Sequence, residues 1–134
     1  EAQDLQELTP FLKQLPTTLV VDHMGRPDIA KGVGHADFQR FIALLDENDN
    51  IWTKVSCPER LTIAGPDYAD VVPFAKTLVE RFTDRVLWGT DWPHPNMKSH
   101  MPDDGLLVDF IPRIATDPVQ QRALLVDNPV RLYW

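Results

Sequence analysis

Apolar positions along this chain follow two alternating rhythms. Leu5, Leu8, Phe11, Leu12 and Leu15 recur at i, i+3, i+6, i+7 and i+10, which is the stripe of an amphipathic helix. Pro16 ends it, and the β-branched run from Thr17 to His23 reads as a strand. Gly25-Arg26-Pro27 breaks that strand. A second helix is expected over Ala36–Asp46, with Phe38, Phe41, Ile42 and Leu45 on one face. It leads into a second strand, Ile51–Ser56, stopped by Cys57-Pro58. A loop from Glu59 to Pro66 precedes a third helix capped by Asp67, whose apolar face runs from Tyr68 to Phe82. The third strand is Arg85 to Thr90. Beyond a loop over Asp91–Asp104, helical stretches are expected at about Gly105–Ala115, interrupted by Pro112, and after Asp117-Pro118. An N-cap acid followed by proline at the first helical position is a strong helix start.

Val21, Val55 and Leu87 mark comparable strand positions at separations of 34 and 32 residues. Such spacing is what successive strand–helix units give in a (β/α) architecture. Three parallel strands alone leave two unpaired edges, and a closed barrel takes eight strands in about 250 residues. The expected fold class is therefore α/β. Residues 1–134 read as the C-terminal portion of a single TIM-like (β/α)8 barrel domain, three parallel strands with flanking helices. Roughly 120 or more residues of barrel would then precede them, in keeping with an opening on Glu1-Ala2-Gln3-Asp4-Leu5. A complete small three-stranded sandwich is the competing reading.

Composition narrows the partners. A net charge of −7, with 13 scattered basic residues, argues against nucleic acid, which requires clustered Lys and Arg. It leaves room for a small anion, since two or three well-placed arginines outweigh a distant field. The single cysteine, Cys57, allows no internal disulfide and points to a cytoplasmic setting. No apolar run approaches the roughly 20 residues that span a bilayer.

The chemistry gathers after the strands. Trp88-Gly89-Thr90-Asp91-Trp92-Pro93-His94-Pro95-Asn96 is a polar loop stiffened by two prolines, placed at the carboxyl end of a buried strand, where α/β enzymes keep their sites. Asp91 is the leading candidate for a general base, and His23, at the end of the first strand, for a metal ligand or a donor to a developing oxyanion. A capping role for Asp91 and a core role for His23 are the dull alternatives. Arg60, behind Cys57-Pro58, has the planar fork that binds carboxylates. Asn96 and His94 are candidate substrate contacts, each with an equally plain role as a loop residue. Trp88 and Trp92 are candidates to cover a flat ring. Arg26 is expected to pair with Asp22 or Asp28, and His35 and His100 to lie at the surface. Cys57 has no histidine near it in sequence and reads as a small buried thiol.

The string Gly89-Thr90-Asp91-Trp92-Pro93, together with Asp22-His23-Met24-Gly25 and Cys57-Pro58-Glu59-Arg60, resembles the amidohydrolase superfamily, in its amidohydrolase-related branch. The fuller pattern is most similar to the lactonases of that branch, which open a pyrone dicarboxylate ring in lignin-derived aromatic catabolism. The resemblance runs from about Leu5 to Tyr133. It implies that the strands ending at His23, Ser56 and Thr90 are the sixth, seventh and eighth of the barrel. It also implies that Asp91 activates water while His23 polarises the lactone carbonyl, and that Arg60, Asn96 and His94 meet an anionic dicarboxylate substrate. The superfamily's His-x-His pair and its other metal ligands fall outside this chain, and the lactonase branch is thought to work without a metal, so neither metal nor cofactor is expected. A metal-dependent decarboxylase of an aromatic acid, and a fragment with only a binding or scaffold role, are the alternatives.

Overall fold

The computed structural model describes residues 1–134. Its helices are α1 (Leu5–Leu12), α2 (Ala36–Asp46), α3 (Val72–Arg81), α4 (Asp104–Asp109), α5 (Ile111–Ile114), α6 (Pro118–Arg122) and α7 (Asn128–Tyr133); its strands are β1 (Leu19–Val21), β2 (Ile51–Ser56) and β3 (Val86–Gly89). The strands form one parallel sheet in the order β1-β2-β3. An antiparallel pairing of the first two strands would have excluded the barrel reading; the pairing is parallel.

Register differs from the rhythm read in the sequence. Val21 pairs with Thr53 rather than Val55, and Val55 with Trp88 rather than Leu87. The first difference is a slip of two, which keeps the same face. The second is a slip of one, which moves Leu87 to the opposite face. The central strand β2 is almost wholly buried, so its apolar run carries no alternation to reveal which residues share a face.

One face of the sheet meets the core. Ile51, Val55 and Val86 pack there against Phe38, Phe41 and Leu45 of α2 and Phe74 and Leu78 of α3. Phe38 and Phe74 meet edge to face at 4.9 Å, a favoured aromatic geometry. The register places Trp52, Lys54 and Ser56 on the other face, where Arg131 of α7 lies 4.8 Å from the Trp52 ring centroid. α2 and β2 match their expected bounds. α3 begins at Val72 instead of Asp67, because Pro73 fits only the first turn of a helix. The break between α4 and α5 falls at Phe110, beside Pro112, and Asp117 caps α6 through a bond from the Val119 amide.

The stripe on α1 is only partly used. Leu5 is buried, but Leu8 and Phe11 are 45% and 62% exposed, beside β1, which has a neighbour on one side only.

At the end of β1 the chain turns through Gly25 at φ +70°, where a Cβ would lie 3.3 Å from the Phe41 ring. Gly25→Ala is therefore expected to destabilise the protein by about 1–2 kcal/mol from the left-handed backbone alone, with crowding of Phe41 added. Denaturant unfolding checks this, and an unchanged midpoint would mean that the turn has relaxed.

Candidate active site

All three strands end in backbone that L-residues rarely adopt. His23 (φ 54°), Cys57 (φ 56°) and Asp91 (φ 68°) are each left-handed just past β1, β2 and β3, and His94 (φ 55°) and Asn96 (φ 68°) follow on the last loop. Each such non-glycine position costs about 1–2 kcal/mol. Strain of this kind concentrates at binding and catalytic sites, where it aims side chains that a relaxed backbone would not.

Adjacency of parallel strands brings the three termini together. Asp91 sits between two bases: its Oδ2 accepts from Arg60 Nη2 at 2.9 Å, and its Oδ1 lies 3.9 Å from His23 Nε2. Arg60 also donates to the Pro95 carbonyl, at 2.5 Å, which ties the turn after β2 to the loop after β3. The Arg60 and Asp91 side chains are 17% and 26% exposed, sheltered enough for the pair to matter and open enough to be reached. The other face of His23 is anchored by Nδ1, 2.8 Å from Ser56 Oγ. Nothing in the sequence singles out Ser56. It lies on the same face as Lys54, which forms a 2.9 Å ion pair with Asp22; the hydrogen bond within that pair is the main reason the Lys54 ammonium is held above its ordinary pKa.

Behind this group lies a buried acid–imidazole contact. His94, 4% exposed, points inward, with Nδ1 3.3 Å from Glu59 Oε1 and Nε2 3.3 Å from Asp104 Oδ1. The second contact is close in distance but lacks hydrogen-bond geometry, for both of its atoms are without a bonded partner. His94 thus faces Glu59 through Nδ1, while Nε2 keeps an open hydrogen-bonding position. Glu59 carries no signal in the sequence. On the tight turn Pro58–Arg60, neighbouring side chains diverge, so Arg60 reaches the site while Glu59 is buried.

Other candidates fall apart from the group. Asn96 is exposed on the loop and lines a hollow shared with Arg26, Glu59, Arg60 and His100. Arg26 pairs with Glu1 at 3.4 Å, whereas Asp22 and Asp28 pair with Lys54 and Lys31. Trp92 is 75% exposed and Trp88 packs against the core. His35 caps α2 by accepting from the Asp37 amide, and His100 is exposed beside Ser99.

Cys57 does have a histidine beside it in space: Sγ lies 3.9 Å from His23 Nε2. Burial, and next the charge of Glu59, push this thiol far above its ordinary pKa. The thiolate is the nucleophile, so Cys57 is expected to resist iodoacetamide at pH 8 in the native protein and to react readily once unfolded. Fast native labelling, read by mass spectrometry, would contradict this.

His23, Cys57 and Asp91 each place one possible metal-ligand atom within 4.8 Å of the others. The donor set fits a cation poorly. The Arg60 guanidinium already neutralises Asp91, so the set offers a cation little negative charge. No helix is long and apolar enough to cross a membrane.

Known proteins resemble this chain over nearly its whole length. The Amidohydrolase family profile matches residues 1–134. A 2-pyrone-4,6-dicarboxylate hydrolase of Comamonas testosteroni is 62% identical over 142 residues, covering 100% of this chain and 47% of that protein. A 4-sulfomuconolactone hydrolase of Rhizobium radiobacter is 40% identical, over 96% of this chain and 44% of its own length. Among solved structures, a probable 2-pyrone-4,6-dicarboxylic acid hydrolase of Acinetobacter baumannii with citric acid bound superposes with a TM-score of 0.82 at 31% identity, covering 98% of this chain and 49% of that one. The chain thus spans about half the length of the curated relatives it matches.

Proposed function

Because this chain belongs to the amidohydrolase family, we propose that it forms the C-terminal half of a (β/α)8-barrel hydrolase that opens the lactone ring of 2-pyrone-4,6-dicarboxylate. The observation that carries the reading is the placement of Asp91 between His23 and Arg60, at the carboxyl ends of three adjacent parallel strands. The 62% identity to a hydrolase named for that substrate supports the choice of ring, and the citric acid in the structural relative is in keeping with a site that receives several carboxylates.

In this mechanism Asp91 takes a proton from water as its oxygen attacks the lactone carbonyl carbon. Oδ1 is the oxygen for the task, since Arg60 holds Oδ2. An ordinary aspartate, with a pKa of about 3.9, is a weak base, so the water must be polarised and the developing oxyanion stabilised. His23 can do the second if Nε2 carries the hydrogen, which requires the Ser56 hydroxyl to donate into Nδ1. Ser56 would thereby choose the tautomer. When the ring C–O bond breaks, Asp91 returns its proton to the departing enol oxygen. Arg60, with Asn96 on the neighbouring loop, receives a substrate carboxylate through Nη1, since its bonds to Asp91 and Pro95 both use Nη2.

The test is hydrolysis of 2-pyrone-4,6-dicarboxylate by the full-length gene product, followed as loss of the pyrone absorbance. 4-Sulfomuconolactone is run in parallel, because relatives named for it are 40% identical. Turnover of the pyrone at least about 10-fold more efficient is expected, since discrimination by a site built for a particular polar group commonly exceeds that. Preference for the sulfonated lactone would reassign the substrate, and activity on neither would remove the reading.

A further inference from the structure

The turns after β2 and β3 are joined by two acid–base contacts of opposite sense. Glu59 and Arg60 are consecutive on the first turn, whose backbone is closed by the Arg60 amide donating to the Cys57 carbonyl at 3.1 Å. Asp91 and His94 are the ends of the second, closed by the His94 amide donating to the Asp91 carbonyl at 2.8 Å. Each turn thus offers one acid and one base. Arg60 meets Asp91 at 2.9 Å in the half-open site, and Glu59 meets His94 at 3.3 Å behind it. The rear contact is the more deeply buried, with side chains 0% and 4% exposed.

We propose that the Glu59–His94 contact is a positioning device that sets Arg60 against Asp91. A buried contact between an acid and a basic side chain is a weak source of stability, often matched by apolar residues of the same volume. This one is also incompletely satisfied, since Glu59 Oε2 and His94 Nε2 have no partner. Its best-supported use is registry. Glu59 cannot move without carrying the adjoining Arg60, and His94 cannot move without shifting the one-turn loop that begins at Asp91. Asp104, at the start of α4, lies 3.3 Å from the far side of the ring without a hydrogen bond to it. The Tyr68 phenol is held above its ordinary pKa first by burial and then by the charge of Glu59, so the field of this acid reaches the segment leading into α3 as well. The inference rests on the roles proposed above for Asp91 and Arg60.

Glu59→Met removes the contact while filling its volume, whereas His94→Asn keeps an amide donor facing Glu59 and tolerates the left-handed backbone. In the full-length protein, Glu59→Met is expected to lower kcat/KM for the pyrone dicarboxylate by about 10-fold or more, as small misplacements of reacting groups do; His94→Asn should stay within about 3-fold of the parent, an amide still replacing one hydrogen bond. The decisive comparison is the double variant. If Glu59 acts through Arg60, the Glu59→Met loss shrinks sharply once Arg60 is already Met, because coupled residues are not additive. Hydrogen exchange of the Arg60 guanidinium, read by NMR, should quicken in Glu59→Met whatever the enzyme hydrolyses. That measurement separates the positioning claim from the substrate claim: an enzyme inactive on lactones removes the earlier reading and leaves this one standing on exchange. Should Glu59→Met fail to fold, Glu59→Gln enters the same cycle. Additive losses, or an effect confined to melting temperature with Arg60 exchange unchanged, would overturn the proposal.

Discussion

Asp91→Asn is expected to abolish most turnover while leaving the fold intact. The loss of a general base typically costs at least about 100-fold, and in the proposed mechanism the same group also serves as the acid that protonates the leaving oxygen. Asparagine is the informative replacement on structural grounds. Residue 91 sits at φ 68°, a conformation that Asn and Asp tolerate far better than Ala. The side-chain carbonyl of the new amide can still accept from Arg60, so the tie between the two loops survives without its charge. Rate constants of the full-length variant, alongside its melting curve, make the check. A folded Asn variant with near-normal kcat would give Asp91 a structural role, with the Arg60 contact as its only business. Full inactivity together with a collapsed melting transition would say nothing of catalysis, and Asp91→Glu, which keeps the charge one methylene further out, then decides.

Asp91, His23 and Arg60 are legible in the sequence because their message is positional: a chemically able side chain within a few residues of a strand's carboxyl end has few other places to point. The three parallel strands are legible for a related reason, since β-branched runs at near-constant spacing leave little choice of architecture. What stays hidden depends on three-dimensional direction. Nothing in Cys57-Pro58-Glu59-Arg60 says which of two adjacent charged residues turns inward, and the less expected one, Glu59, is buried. His94 reads as a site residue because it sits in the right string, and its contact with Glu59 is a matter of direction that the string does not carry. Ser56 is invisible because a serine ending a strand is commonplace, and its value lies in a histidine 33 residues away. The face taken by Leu87 is hidden because a strand buried on both sides carries no alternation to read.

Arg60→Met is expected to fall mainly on substrate binding. A guanidinium that clamps a carboxylate in both ground state and transition state lowers KM more than it raises kcat. Losing one charge-assisted pair costs about 1.5–3 kcal/mol, or roughly 10- to 150-fold. Arg60→Lys should recover only part of this, since an ammonium lacks the planar fork that spans two oxygens. The structure changes what stability should do. An exposed loop arginine would leave the melting temperature untouched, but Arg60 is mostly sheltered and holds both Asp91 and the Pro95 carbonyl. A drop of a few degrees is therefore expected in the Met variant, and a smaller one with Lys. Because Arg60 holds Oδ2 and leaves Oδ1 free, kcat at saturating substrate should hold near the parent value while KM climbs. A fall in kcat equal to the rise in KM would mean that Arg60 acts on the transition state itself. Unchanged kinetics in both variants would leave the Arg60–Asp91 bond purely structural and take away the only guanidinium this half of the barrel places beside the base.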